Sequence, residues 1–158
     1  MSSSTLGKLE ADIEIKAPAD RFLEMATQRM YRLSNISPDK IASCELFEGD
    51  WGKEGSVISW NYLIDGNASV GKELFEAIDF DKNSVTWKVI EGDILQYYKS
   101  FKSSFQATPK AKGDEEGTCV HWTLEYEKLH DKVPDPHAKL QLIIGIVKDI
   151  DAYLTTQA

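Results

Sequence analysis

A chain of 158 residues with 42% hydrophobic and 28% charged side chains has globular composition and reads as one domain, residues 1–158. Its formal charge of -8, with lysines scattered among carboxylates, excludes a nucleic-acid or anionic-membrane surface built on Lys/Arg density. Two cysteines make no disulfide framework, no stretch approaches the about twenty apolar residues of a membrane span, and Met1-Ser2-Ser3-Ser4 is a polar lead, so a cytoplasmic protein with reduced thiols is expected.

Leu6 to Lys16 alternates Leu9, Ala11, Ile13 and Ile15 with charged residues, the period of a half-buried strand. Pro18 then marks a helix start, Phe22 to Ala26 continue it, and a second short helix covers Arg29 to Leu33. Pro38 closes that segment. The period of two returns in Ile41–Phe47, Ser56–Ile64, Ala68–Ile78, Ser84–Glu91, Ile94–Thr108 and Thr118–Glu127. Asp65-Gly66-Asn67 and Asp79 to Asn83 read as hairpin turns, and Lys110 to Gly117 as a mobile loop. Asp135 is a natural N-cap before Pro136. Leu140, Ile143, Ile144, Val147, Ile150 and Leu154 then recur at helical spacing over a helix of about 25 Å.

This order gives an α+β class: an antiparallel sheet with helices segregated to one side. Extended, Ile94–Thr108 would span roughly 45–50 Å. A domain of this size has a radius of gyration near about 15 Å. The strands must therefore bend, and the long helix lies in the concavity.

Strict alternation assigns inward faces: Ile58, Trp60, Tyr62 and Ile64; Ala68, Val70, Lys72 and Leu74; Val85, Trp87 and Val89; Tyr97, Lys99, Phe101, Ser103 and Phe105; Val120, Trp122, Leu124 and Tyr126. A bulge would flip any one of them. A sealed core disfavours unpartnered lysines, whereas a ligand cavity combines apolar walls with a few polar anchors. The competing reading has Lys72 and Lys99 reaching the rim to pair with acids. Gly145 costs about 1 kcal/mol in mid-helix relative to alanine; it is expected either to allow close approach to a ligand or a strand or to be drift that the helix tolerates.

Glu48-Gly49-Asp50-Trp51-Gly52-Lys53-Glu54-Gly55-Ser56 joins two strands and holds three glycines. It is no phosphate loop, because a strand follows it rather than a helix and its carboxylates repel phosphate. Gly49, Trp51, Gly52 and Gly55 are expected to form a rim beside the cavity. His121, His130 and His137 are separated, His121 has the outward phase, and no pair has zinc-ligand spacing, so no metal site is expected.

Several strings resemble one family: Leu6-Gly7-Lys8-Leu9-Glu10, Glu48-Gly49-Asp50-Trp51-Gly52, Trp60-Asn61-Tyr62, Asp65-Gly66, Val89-Ile90-Glu91-Gly92-Asp93, Tyr98-Lys99-Ser100-Phe101-Lys102 and Glu125-Tyr126-Glu127-Lys128. In this order they resemble the major latex proteins, within the birch-pollen-allergen (Bet v 1-like, pathogenesis-related class ten) superfamily of plants. The resemblance implies a helix-grip fold: a seven-stranded curved antiparallel sheet, two short helices and a long C-terminal helix around a hydrophobic cavity. It implies binding of lipids, steroids, hormones or secondary metabolites, with roles in defence and stress. Trp51, Lys53 and Glu54 depart from the more purely glycine-rich loop of the allergen branch.

The expectation is a monomeric carrier without cofactor, binding a hydrophobic small molecule. Its cavity residues are Ile58, Trp60, Tyr62, Val70, Lys72, Trp87, Tyr97, Lys99, Phe101, Phe105, Trp122, Leu140, Ile143, Ile144 and Val147. The alternative is a cavity enzyme of alkaloid-type metabolism, condensing or isomerising by general acid/base catalysis through Lys99, Lys72, Tyr62 or Tyr97. No inward histidine or carboxylate pair stands out to support it. A ribonuclease activity suggested for the superfamily conflicts with the acidic balance. A structural protein would have a filled core.

Overall fold

The computed structural model describes residues 5–110 and 117–156. The alternating segments form seven strands: β1 (Leu6–Ile15), β2 (Ile41–Glu48), β3 (Val57–Ile64), β4 (Asn67–Asp79), β5 (Ser84–Gly92), β6 (Tyr98–Pro109) and β7 (Thr118–Lys128). Helix α1 (Ala19–Thr27), a 3-10 turn (Met30–Arg32) and helix α2 (Leu33–Ile36) connect β1 to β2, and helix α3 (His137–Thr156) follows β7. The strands form one antiparallel sheet in the order β1-β7-β6-β5-β4-β3-β2. This is the helix-grip, α+β arrangement that the resemblance implies. Residues 111–116 of the expected mobile loop lie outside the described residues.

Local chemistry sets the turns. Asp65 and Gly66 have φ of 51° and 78°, the paired left-handed geometry of a two-residue hairpin. At the next turn Asp79 Oδ1 accepts from the backbone N–H groups of Asp81 and Lys82, each at 3.0 Å. Register shifts in the β2–β3, β4–β5 and β6–β7 pairs bend the sheet. The strand expected from Ile94 begins only at Tyr98, because Asp93–Gln96 form a 3-10 turn. There Asp93 Oδ2 accepts from Val70 N–H at 2.9 Å.

Two aspartates hold α3 across the sheet. Asp151 accepts from the backbone N–H groups of Lys16, at 3.1 Å, and Ala17, at 2.9 Å, where β1 hands over to α1. The Ala17 carbonyl accepts from Thr118 Oγ1 at 2.6 Å. Asp149 accepts from Ser37 Oγ at 2.5 Å and meets Lys40 Nζ at 2.9 Å, where α2 hands over to β2. The Lys40 stem crosses Gly145; a Cβ there would lie 2.6 Å from Lys40 Cε. Gly145 therefore makes room for this clamp rather than for a ligand or a strand.

Asp135 corrects another expectation. Helix α3 starts at His137, and the Asp135 carboxylate accepts from the Tyr126 hydroxyl at 2.6 Å and pairs with Lys128 at 3.2 Å. These partners hold the carboxyl below its ordinary range, Tyr126 first and Lys128 second. It ties the end of β7 to the approach of α3 instead of capping the helix.

Candidate ligand-binding cavity

A cavity of about 80 Å³ lies between the inward face of the sheet and helices α1 and α3. The sheet supplies Trp60, Tyr62, Glu73, Trp87, Ser103 and Trp122. From α1 and the following segment come Phe22, Ala26, Met30 and Leu33. Leu142, Ile143, Ile146, Val147 and Lys139 close it from α3. Lys139, Leu142 and Ile146 are only half-buried, so the cavity meets solvent along that side of the helix. An engineered apolar cavity of roughly 150 Å³ holds a benzene molecule, so a larger guest here requires the walls to move apart.

The inward phases of β3, β5 and β7 hold for Ile58, Trp60, Tyr62, Val85, Trp87, Val89, Val120, Trp122, Leu124 and Tyr126. The phase of β4 is reversed. Trp60 pairs with Gly71 and Ile58 with Glu73, so Gly71, Glu73 and Phe75 face inward. Val70 is instead 49% exposed. Lys72 lies on the outer face, 3.7 Å above the Phe47 ring centroid and 3.2 Å from Glu91.

On β6 the register shift between Tyr98 and Ser100 turns Tyr98 and Phe101 inward together. Lys99 is thereby outside, 3.4 Å from Glu127, and Tyr97 precedes the strand with 55% exposure. Among the other expected cavity residues, Ile58, Phe101, Phe105 and Leu140 are buried in the surrounding core, and Ile144 is half-buried against it. Trp60, Tyr62, Trp87, Trp122, Ile143 and Val147 are the expected residues that line the cavity itself.

Sequence reasoning missed Glu73. Its neighbours Lys72 and Leu74 fit an amphipathic alternation with the charged glutamate outside, and only the β3–β4 register reverses that choice. Glu73 Oε1 accepts from Trp60 Nε1 at 3.2 Å. Burial pushes the carboxyl above its ordinary value of 4.5, opposed by the field of Lys139 and by the Trp60 bond. Between 4.5 and the higher folded value the native state holds the extra proton, so stability falls as pH rises through that window. Glu73→Gln is expected to remove this fall. Stability curves measured by urea denaturation from acid to neutral pH should show the variant gaining on the wild type as pH rises; parallel curves would contradict it.

The floor is otherwise aromatic. Trp87 and Trp122 stack with centroids 5.7 Å apart, and Phe105 stacks on Trp122 at 5.2 Å. Trp122 Nε1 donates to Ser103 Oγ at 2.8 Å. On α3, Lys139 Nζ sits 4.1 Å from the Tyr62 ring centroid.

The glycine loop lies outside this wall. Gly49, Gly52 and Gly55 have φ of 91°, 81° and 88°, which only glycine adopts cheaply. Ser56 Oγ bridges the Asp50 N–H and carbonyl at 2.9 and 2.7 Å. Trp51 packs on Tyr31, 5.8 Å between centroids, and Tyr31 adjoins the cavity-lining Met30. On the outer face His121 lies 2.6 Å from Asp12 and 2.9 Å from Glu10, and these two hydrogen bonds raise its pKa.

Comparison with known proteins agrees with this geometry. Residues 4–157 match the Pathogenesis-related protein Bet v 1 family. The chain is 48% identical to MLP-like protein 43 of Arabidopsis thaliana over 99% of this chain and 98% of that relative. Major latex-like protein 151 of Panax ginseng superposes with a TM-score of 0.88 at 40% identity, over 94% and 97% of the two chains. Norcoclaurine synthase of Thalictrum flavum shares the fold alone, at 15% identity and a TM-score of 0.73 over 99% and 91%. The chain belongs to the pathogenesis-related Bet v 1 family and, within it, to the major latex proteins.

Proposed function

We propose that this protein is a single-domain carrier or reservoir for a hydrophobic or amphipathic small molecule held between the sheet and α3. It acts as a cytoplasmic monomer without cofactor, in defence or stress, and binds no nucleic acid. The carrying observation is a cavity whose walls are aromatic and aliphatic but which also holds a few polar side chains. Among the described residues no helix is long and apolar enough to cross a membrane.

The test is titration with an environment-sensitive apolar dye, read by its emission and by tryptophan emission. Wild type should bind saturably. Ala26→Leu, which adds bulk from α1 into the cavity while keeping a strong helix former, should weaken binding by at least about tenfold. Absence of saturable binding, or unchanged affinity in the variant, refutes the reading.

A second reading, a cavity enzyme, has one observation in its favour: Glu73 and Lys139 line the same cavity and supply a carboxyl and an amine. Lys72, Lys99 and Tyr97 cannot serve it from the outer face. Turnover of amine–aldehyde pairs by the wild type that disappears in Lys139→Met while dye binding persists would establish it.

A further inference from the structure

Three indoles stand on alternate strands of the cavity floor: Trp60 on β3, Trp87 on β5 and Trp122 on β7. Polar side chains on the intervening strands serve the outer two, Glu73 on β4 for Trp60 and Ser103 on β6 for Trp122. The middle indole is different. Trp87 is 3% exposed and its Nε1–H has no hydrogen-bond partner among the described residues. A buried donor left unpaired costs about 1–3 kcal/mol, so this position is primed for an acceptor from elsewhere.

A complementary vacancy adjoins it. Phe75 pairs with Trp87 and Glu73 with Val89, which makes Glu73 and Trp87 diagonal neighbours on the inward face. Glu73 uses Oε1 for Trp60, and its other oxygen has no hydrogen-bond partner among the described residues. Two cavity-lining residues thus carry one unpaired donor and, diagonal to it, one unused acceptor, in an apolar surround that includes Phe22, Ile143 and Val147; the sealed Trp87 Nε1–H becomes reachable as the walls move apart around a guest.

We infer that the cavity selects an uncharged amphiphile with a hydroxyl head, which donates to Glu73 and accepts from Trp87, and that it discriminates against carboxylates. This rests on the carrier reading above and adds the chemistry of the ligand's head. A hydroxyl is the smallest group that donates and accepts at one atom. A carboxylate head would bring a second anion beside the Glu73 carboxylate in a site of low dielectric, where like charges repel strongly. Lys139 offsets part of this repulsion, since its field reaches Glu73, but its ammonium lies over Tyr62 on the helix side rather than at the floor.

Three ligands of matched chain test the inference: 1-octanol, its isomer heptyl methyl ether, which keeps the acceptor but lacks the donor, and octanoate. Affinities are measured at neutral pH by calorimetry and tryptophan emission. In the wild type 1-octanol should bind several-fold tighter than the ether and at least about tenfold tighter than octanoate, the gap expected for a lost charged-acceptor bond and an added buried charge. In Glu73→Gln the gap to octanoate should close, because the amide supplies an N–H donor where the carboxylate repelled.

Octanoate equal to or tighter than 1-octanol in the wild type overturns the inference, whatever the variant does. So does a gap that survives Glu73→Gln, which would place the discrimination away from Glu73. Failure of all three ligands and of the apolar dye to bind sinks the carrier reading itself; saturable binding without discrimination sinks only the hydroxyl assignment.

Discussion

Phe105→Ala should lower the unfolding free energy by about 3–5 kcal/mol, the range for deleting a fully buried aromatic side chain. Phe105 is 2% exposed and meets Phe22 edge-on at 5.1 Å, Trp87 at 5.8 Å and Trp122 at 5.2 Å. These rings hold one another, so the site cannot collapse freely around a methyl group. All three of these neighbours also line the cavity. The void therefore opens toward the lumen, and the variant should accept a small apolar guest better than the wild type does. Urea denaturation with and without saturating indole measures both effects, since a ligand bound only by the folded state adds stability by mass action. A loss below about 1 kcal/mol, with no added gain from indole, would show that the cluster repacks.

Asp151→Ala should cost about 2–3 kcal/mol, because it strips a charged acceptor from two backbone N–H groups at once. Ala17 is 1% exposed, so its N–H has little access to water as a replacement. The change also frees α3 where it crosses the start of α1. Hydrogen exchange at Lys16 and Ala17 should accelerate, and Asp151→Asn, which retains an amide oxygen, should restore part of the loss. Asp131→Ala, at an exposed position, is the control and should stay within about 0.5 kcal/mol. Equal behaviour of the Asp151 and Asp131 variants would show that Asp151 is not a clamp.

Elements whose burial alternates were legible from sequence. The outer charges of β1, the Trp87 phase of β5 and the Trp122 phase of β7 follow from period-two patterning alone. The β4 phase was not legible, because that strand places a glutamate inside and a valine outside, the reverse of the hydrophobic rule. Only its register against Trp60 and Ile58 decides the matter. On β6 one extra residue near Lys99 shifts the alternation, and nothing in Tyr98-Lys99-Ser100 marks where the bulge falls. The cavity's apolar lining, in large part, and Ser103 could thus be named from sequence, whereas the inward place of Glu73 depended on the register of the β3–β4 hairpin. Asp135 failed for a related reason: a local capping signal lost to a tertiary partner, the Tyr126 hydroxyl.

The strand order has a consequence for how the chain reaches this structure. β1 is synthesised first, yet its partner is β7, with Leu6 opposite Glu127 and more than a hundred residues between them. Closing so long a loop is entropically costly, which places folding toward the slow end, on the order of milliseconds to seconds. During that interval β1 is an apolar strand without its ladder. The outward row of Lys8, Glu10, Asp12 and Glu14 makes it a poor template for pairing with other nascent chains. Its charges guard the waiting strand, and replacing them with threonines should raise aggregation during refolding far more than it changes the finished fold.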